Sequence, residues 1–190
     1  MIRAFVGFRI DPVVAQKIAQ VQSQLKGSLT GIRWVDQANF HFTLKFLGAI
    51  QEEKVAPIGN ALEEALGSFQ RFAIAGRGIG VFPDMKRARV LWAGLQGKDL
   101  GPLVRLVETG LEPLGFGREK RAFRPHLTIG RWRHFVSQPE RLKQAIERWQ
   151  DHDFGESWVE EVVLFQSVLK PEGAVYSPLR VISLKETFER

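Results

Sequence analysis

Hydrophobic positions recur along the chain in two rhythms, one of period two and one near 3.6. Residues 2–10, IRAFVGFRI, are rich in β-branched and aromatic side chains and predict a strand. Asp11-Pro12 then supplies a capping side chain and a proline suited to a first helical turn, and residues 13–25 keep helical spacing up to Gly27. A short strand is expected at 33–35 and a stronger one at 40–47, closed by Gly48. Residues 52–66 read as a helix that stops at Gly67. An extended stretch at 69–81 meets the turn Phe82-Pro83-Asp84. A strand at 89–95, a helix at 100–111 and a loop opened by Gly115 and Gly117 come next. The pattern ends with a strand at 126–131, a helix at 139–149, and a hairpin of strands 158–169 and 174–184 turned at 170–173.

This order is α+β and too irregular for simple doubly wound alternation. It holds a faint two-part repeat: strand 40–47 then helix 52–66, and strand 126–131 then helix 139–149. The expectation is one domain over residues 1–190, built of two pseudo-symmetric lobes. No linker or low-complexity segment divides it.

Both repeated strands carry His-x-Thr followed by an aliphatic residue: His41-Phe42-Thr43-Leu44 and His126-Leu127-Thr128-Ile129. Alternation puts His and Thr of each motif on one strand face, with Phe42, Leu44, Phe46, Leu127 and Ile129 turned to a core. The same alternation puts Lys45 beside His41 and Thr43. With four His and five Thr in 190 residues, chance gives about 0.1 such triplets. A single His-x-Thr is an ordinary half-buried strand histidine; two on matched strands point to a shared site.

Composition narrows the chemistry. Hydrophobic residues are 44% and charged residues 25%, the profile of a globular protein able to bury its own core. Cysteine is absent, which removes disulfides, thiolate metal sites and a cysteine nucleophile, and fits a reducing cytoplasm. The apolar run at the N-terminus is interrupted by Arg3 and Arg9 and is too short for a signal or a membrane span. Of the net charge of +6, five units fall in residues 117–133, GREKRAFRPHLTIGRWR, around the second motif. A basic excess there suits a polyanionic partner.

Opening a phosphodiester ring needs a base on the attacking oxygen and an acid on the leaving oxygen. Imidazole titrates near neutrality, so two histidines can divide those tasks. Threonine hydroxyls can hold the phosphoryl oxygens and a Lys or Arg can offset their charge, with no metal required. The histidines, at 41, 126, 134 and 152, match no H-E-x-x-H or Cys/His pattern, so neither metal nor other cofactor is expected. Residues 151–153, Asp-His-Asp, read as a loop, and GRGIG at 76–80 lacks the Lys-Ser/Thr of a phosphate loop.

FHFTLKFLG at 40–48 and RPHLTIGR at 124–131 resemble the paired signatures of the two-histidine phosphoesterases. More closely they resemble the bacterial and archaeal RNA 2′,3′-cyclic phosphodiesterases, historically called 2′-5′ RNA ligases. RAFVGFRI at 3–10 and RVLWAGL at 89–95 add to the likeness. The resemblance implies two pseudo-symmetric lobes, each an antiparallel sheet with flanking helices, around a central cleft. It implies hydrolysis of an RNA 2′,3′-cyclic phosphate end to a 2′-phosphomonoester, with His41 as proton donor and His126 as acceptor. Thr43 and Thr128 would hold the phosphate, with Arg131 close to it and Lys45 as a peripheral charge. Strict alternation from His126 turns Arg131 to the wrong face, unless Gly130 permits a bulge. Phe82 and Trp92 are aromatic candidates for stacking on a base or for packing in the core. Two other readings share these residues: 2′-5′ ligation by the reverse reaction, and a nucleotide- or RNA-binding module without turnover. A monomer with no membrane association is expected.

Overall fold

The computed structural model describes residues 1–120, 122–134, 139–171 and 173–186. Two antiparallel sheets organise it. Sheet A has the order β3-β1-β8-β9, and sheet B the order β2-β6-β5-β4-β7. In sheet A, β1 is Ile2–Arg9, β3 His41–Ile50, β8 Glu161–Lys170 and β9 Gly173–Ser183. In sheet B, β2 is Ile32–Trp34, β4 Phe72–Phe82, β5 Val90–Gln96, β6 His126–Trp132 and β7 Asp153–Val159. Beyond β2, the orders β6-β5-β4-β7 and β3-β1-β8-β9 correspond strand for strand, so the expected two-lobed α+β architecture is present.

The helices interleave the lobes. Helix α1 (Pro12–Lys26) begins as expected, with Asp11 accepting from the Val13 N–H and Pro12 in the first turn. It follows β1 of sheet A yet packs under sheet B. Its buried Gln22 donates to the carbonyls of Val35 (2.7 Å) and Ile129 (2.9 Å). Helix α3 (Leu100–Leu111) makes the opposite crossing, from β5 of sheet B to β3 of sheet A. Helices α2 (Val55–Leu66) and α4 (Pro139–Trp149) stay with the lobes of the motif strands that precede them. One continuous apolar core, with Phe8, Phe42, Ile58, Leu91, Leu127 and Ile129 among its members, runs through both lobes.

Three expectations change. Gly48 does not close β3: at φ +72° it sits in a bulge, and the strand continues to Ile50. The strand expected at 158–169 is two strands in different sheets, with the corner at Glu160, whose carbonyl accepts from the Leu184 N–H. The loop expected at 151–153 already starts β7 at Asp153. In the 170–173 turn, Glu172 lies outside the described residues.

Candidate active site

The two motif strands carry the same irregularity. In β3, Thr43 pairs with Gly7 and Lys45 with Val6, leaving Leu44 as an extra residue. In β6, Thr128 pairs with Trp92 and Gly130 with Leu91, leaving Ile129 extra. Each bulge inserts two successive inward residues and then inverts the alternation. The burial sequences of His41–Leu47 and His126–Trp132 are accordingly identical, position by position. The bulge carbonyl of Ile129 is not orphaned, since it accepts from the Val35 N–H and the Gln22 amide.

The bulges decide which side chains share the His/Thr face. Arg131 returns to it, as the Gly130 expectation required. Its positive charge acts on both His41 and His126 and on Tyr176. Among the described residues the Arg131 side chain has no hydrogen bond or ion pair. Phe46, expected in the core, instead turns outward and is 67% exposed, its ring 6.3 Å from Phe5. Lys45 moves the other way, so its expected place beside Thr43 is corrected. It is buried on the core side, donates to the Gly117 carbonyl at 2.6 Å, and lies 3.8 Å from the Glu108 carboxylate on α3. The cause is the extra residue Leu44, which shifts Lys45 by one face.

Each histidine is oriented in the same way. His41 Nδ1 lies 2.7 Å from the Asn39 carbonyl, and His126 Nδ1 lies 2.7 Å from the Arg124 carbonyl. A carbonyl only accepts, so Nδ1 carries the proton and Nε2 is left to exchange one with a ligand. Burial lowers the pKa of both imidazoles from the ordinary 6.5, against the raising effect of these carbonyls. Arg131 lowers both further, and Arg9 also lowers His41. The free site therefore holds two neutral imidazoles at neutral pH. Thr43 and Thr128 flank them, half-buried on the same faces, with no hydroxyl bond inside the protein among the described residues.

Aromatic rings line the site. His41 sits between Phe5 (4.7 Å) and Tyr176 (4.6 Å, interplanar angle 72°). Phe82 meets His126 edge-on at 4.8 Å and packs against Trp92 at 5.2 Å. Sequence reasoning missed Phe5, Asn39 and Tyr176. The available signal for Tyr176 was that it is the chain's single tyrosine. The basic segment divides: Arg118 pairs with Glu112 at 3.2 Å, Arg131 faces the histidines, Lys120, Arg124 and Arg133 are exposed, and Arg121 lies outside the described residues.

Two neutral imidazoles with fixed tautomers, two hydroxyls and a guanidinium without a partner among the described residues form a group that can do acid–base work at an anionic phosphoester. Comparison with known proteins agrees. Residues 9–92 and 96–176 match the profile of the family described as LigT like Phosphoesterase, and the chain belongs to that family. It is 36% identical over 178 residues to a Methanocaldococcus jannaschii protein named RNA 2′,3′-cyclic phosphodiesterase, covering 94% of this chain and 98% of the relative. An Archaeoglobus fulgidus protein of the same name is 37% identical over 182 residues, with the same coverage. The fold is similar to TT0787 of Thermus thermophilus (TM-score 0.80, 28% identity, 96% of this chain and 97% of that one). It is also similar to E. coli LigT complexed with 3′-AMP (TM-score 0.76, 21% identity, 96% and 98%).

Proposed function

We propose that the protein hydrolyses the 2′,3′-cyclic phosphate at an RNA end to a 2′-phosphomonoester, without a metal ion. The observation that carries this reading is the matched pair of histidines, each with its Nδ1 proton tied to a carbonyl and both in the field of Arg131. Water attacks phosphorus while His126 takes its proton, the P–O3′ bond breaks, and His41 protonates the leaving 3′ oxygen. A neutral His126 is ready to accept. His41 must first be charged, and the phosphate anion that enters beside it favours that form. Thr43, Thr128 and Arg131 donate to the non-bridging oxygens as charge gathers there. Phe46 offers an exposed ring on the same face for a nucleobase. Relatives named for this reaction support the substrate class. Among the described residues no helix is long and apolar enough to cross a membrane.

The test is turnover of a cyclic-phosphate-ended oligoribonucleotide in EDTA, with the product identified by phosphorus NMR. A 2′-phosphate should form at the untreated rate, and His41→Ala and His126→Ala should each lower kcat by about 10²- to 10⁴-fold. Loss of turnover on chelation refutes the metal-free mechanism. Near wild-type rates in either variant refute the histidine roles.

A further inference from the structure

The two histidines occupy equivalent positions, yet their carbonyl partners are held differently. Before His126, Pro125 restricts Arg124 to an extended backbone and so fixes its carbonyl locally. Before His41 the corresponding residue is Phe40, which imposes no such restriction. Asn39, the last residue of a short 3-10 turn (Gln37–Asn39), carries the carbonyl there. That turn is fastened from a distance: the Asn39 side-chain amide donates to the carbonyl of Ala174 on β9 at 2.8 Å. Two residues further along β9, the Tyr176 ring stands against His41 at 4.6 Å and 72°, and against Phe5 at 5.2 Å and 83°. Tyr176 belongs to a small apolar cluster with Phe5, Val163 and Phe165, separate from the main core, on the site face of sheet A.

A single hydrogen bond at Nδ1 leaves an imidazole free to swing about its side-chain torsions. A ring on each side removes that freedom. We propose that residues 174–176 of β9 are the positioning element of His41: the Ala174 carbonyl fixes Asn39, whose own carbonyl sets the tautomer, and the Tyr176 ring fixes the imidazole plane. The role belongs to the ring rather than to the hydroxyl. Among the described residues Phe82 is the only ring packed on His126, so within them the two-ring arrangement belongs to the first motif. The kinetic part of this inference rests on the proposed catalytic role of His41, whereas the tautomer can be read in the free protein.

The test compares Asn39→Ala, Tyr176→Leu and Tyr176→Phe by kinetics on a cyclic-phosphate oligoribonucleotide and by ¹⁵N NMR of the histidine ring nitrogens. Misplacing a catalytic group by about 1 Å lowers rates by about 10²-fold. Asn39→Ala and Tyr176→Leu should therefore reduce kcat by about ten- to a hundredfold, with KM nearly unchanged. Asn39→Ala should also shift neutral His41 from its Nδ1–H form towards a mixture, while His126 keeps its own. Tyr176→Phe should remain within about twofold of wild type. Wild-type kcat in Asn39→Ala, or reduced kcat with an unchanged His41 tautomer in that variant, overturns the proposal; so does a loss carried by KM. If Tyr176→Leu does not fold, Asn39→Ala and Tyr176→Phe decide. Full activity in His41→Ala would refute the catalytic reading instead, leaving the tautomer result to judge the positioning.

Discussion

Replacing Lys45 with Met gives a sharp test of where the bulge in β3 sends that side chain. The ammonium is 8% exposed with its residue, 2.6 Å from the Gly117 carbonyl and 3.8 Å from Glu108. Methionine keeps much of the stem volume but removes the charge. Glu108 then retains the Glu119 backbone N–H at 2.8 Å but loses its buried cation. Removing one partner of a buried pair costs about 3–5 kcal/mol, and a hydrogen bond to a charged group contributes about 1.5–3 kcal/mol. These overlap, and the remaining N–H bond softens the loss, so about 3 kcal/mol is expected. For a protein of this size each kcal/mol shifts Tm by about 2–4 °C, hence a fall of about 6–12 °C. Urea unfolding and calorimetry of K45M, E108Q and the double variant measure it. The double variant should be less unstable than the two single losses added, by more than about 0.5 kcal/mol. A change in K45M below about 0.5 kcal/mol is typical of a screened surface charge and would refute the buried latch.

Other outcomes follow from the same geometry. Because both histidine pKa values lie below 6.5, the kcat/KM optimum of the free enzyme should fall on the acid side of that value, and a descending limb well above neutrality would contradict it. The same lowering makes the native histidines bind fewer protons than the unfolded chain. Their contribution to stability is full above the unfolded value and declines as pH falls through 6.5 towards the lower native values, a slope that His41→Gln should reduce in urea titrations. Arg131→Ala should lower kcat/KM by about 10- to 100-fold, matching the loss of a charged hydrogen bond of about 1.5–3 kcal/mol; an unchanged value would remove Arg131 from the site. Gly130→Ala places a Cβ 2.6 Å from Ile32 and 3.3 Å from the Trp34 ring, and should cost about 1–3 kcal/mol in urea unfolding.

The long elements and the two histidines were legible because strand and helix periods, capping residues and paired motifs act locally. The parity of side chains beyond each motif was not. Nothing in HFTLKF says that Leu44 lacks a partner across the ladder, since that depends on Gly7, where any Cβ would collide with the Phe42 carbonyl. Phe46 and Lys45 therefore exchanged places relative to simple alternation. Gly130 was a visible cue in the second motif, and Arg131 fell where that cue allowed. The corner at Glu160 was hidden because the apolar rhythm runs unbroken through residues that serve two sheets. Asn39 and Tyr176 were invisible for a different reason: their roles depend on β9 reaching a turn 135 residues earlier, where the Asn39 amide meets the Ala174 carbonyl.

The exchange of helices between lobes has a mechanical consequence. The chain passes from one sheet's side to the other between β1 and α1, β2 and β3, α2 and β4, β5 and α3, α3 and β6, and β7 and β8. Hinged closure needs two bodies joined by a few pliant segments. Here the lobes are laced together by many, over a shared core. The relative placement of the two motif strands is thus set when the chain folds, and the proposed site has no hinge of its own with which to close on a ligand.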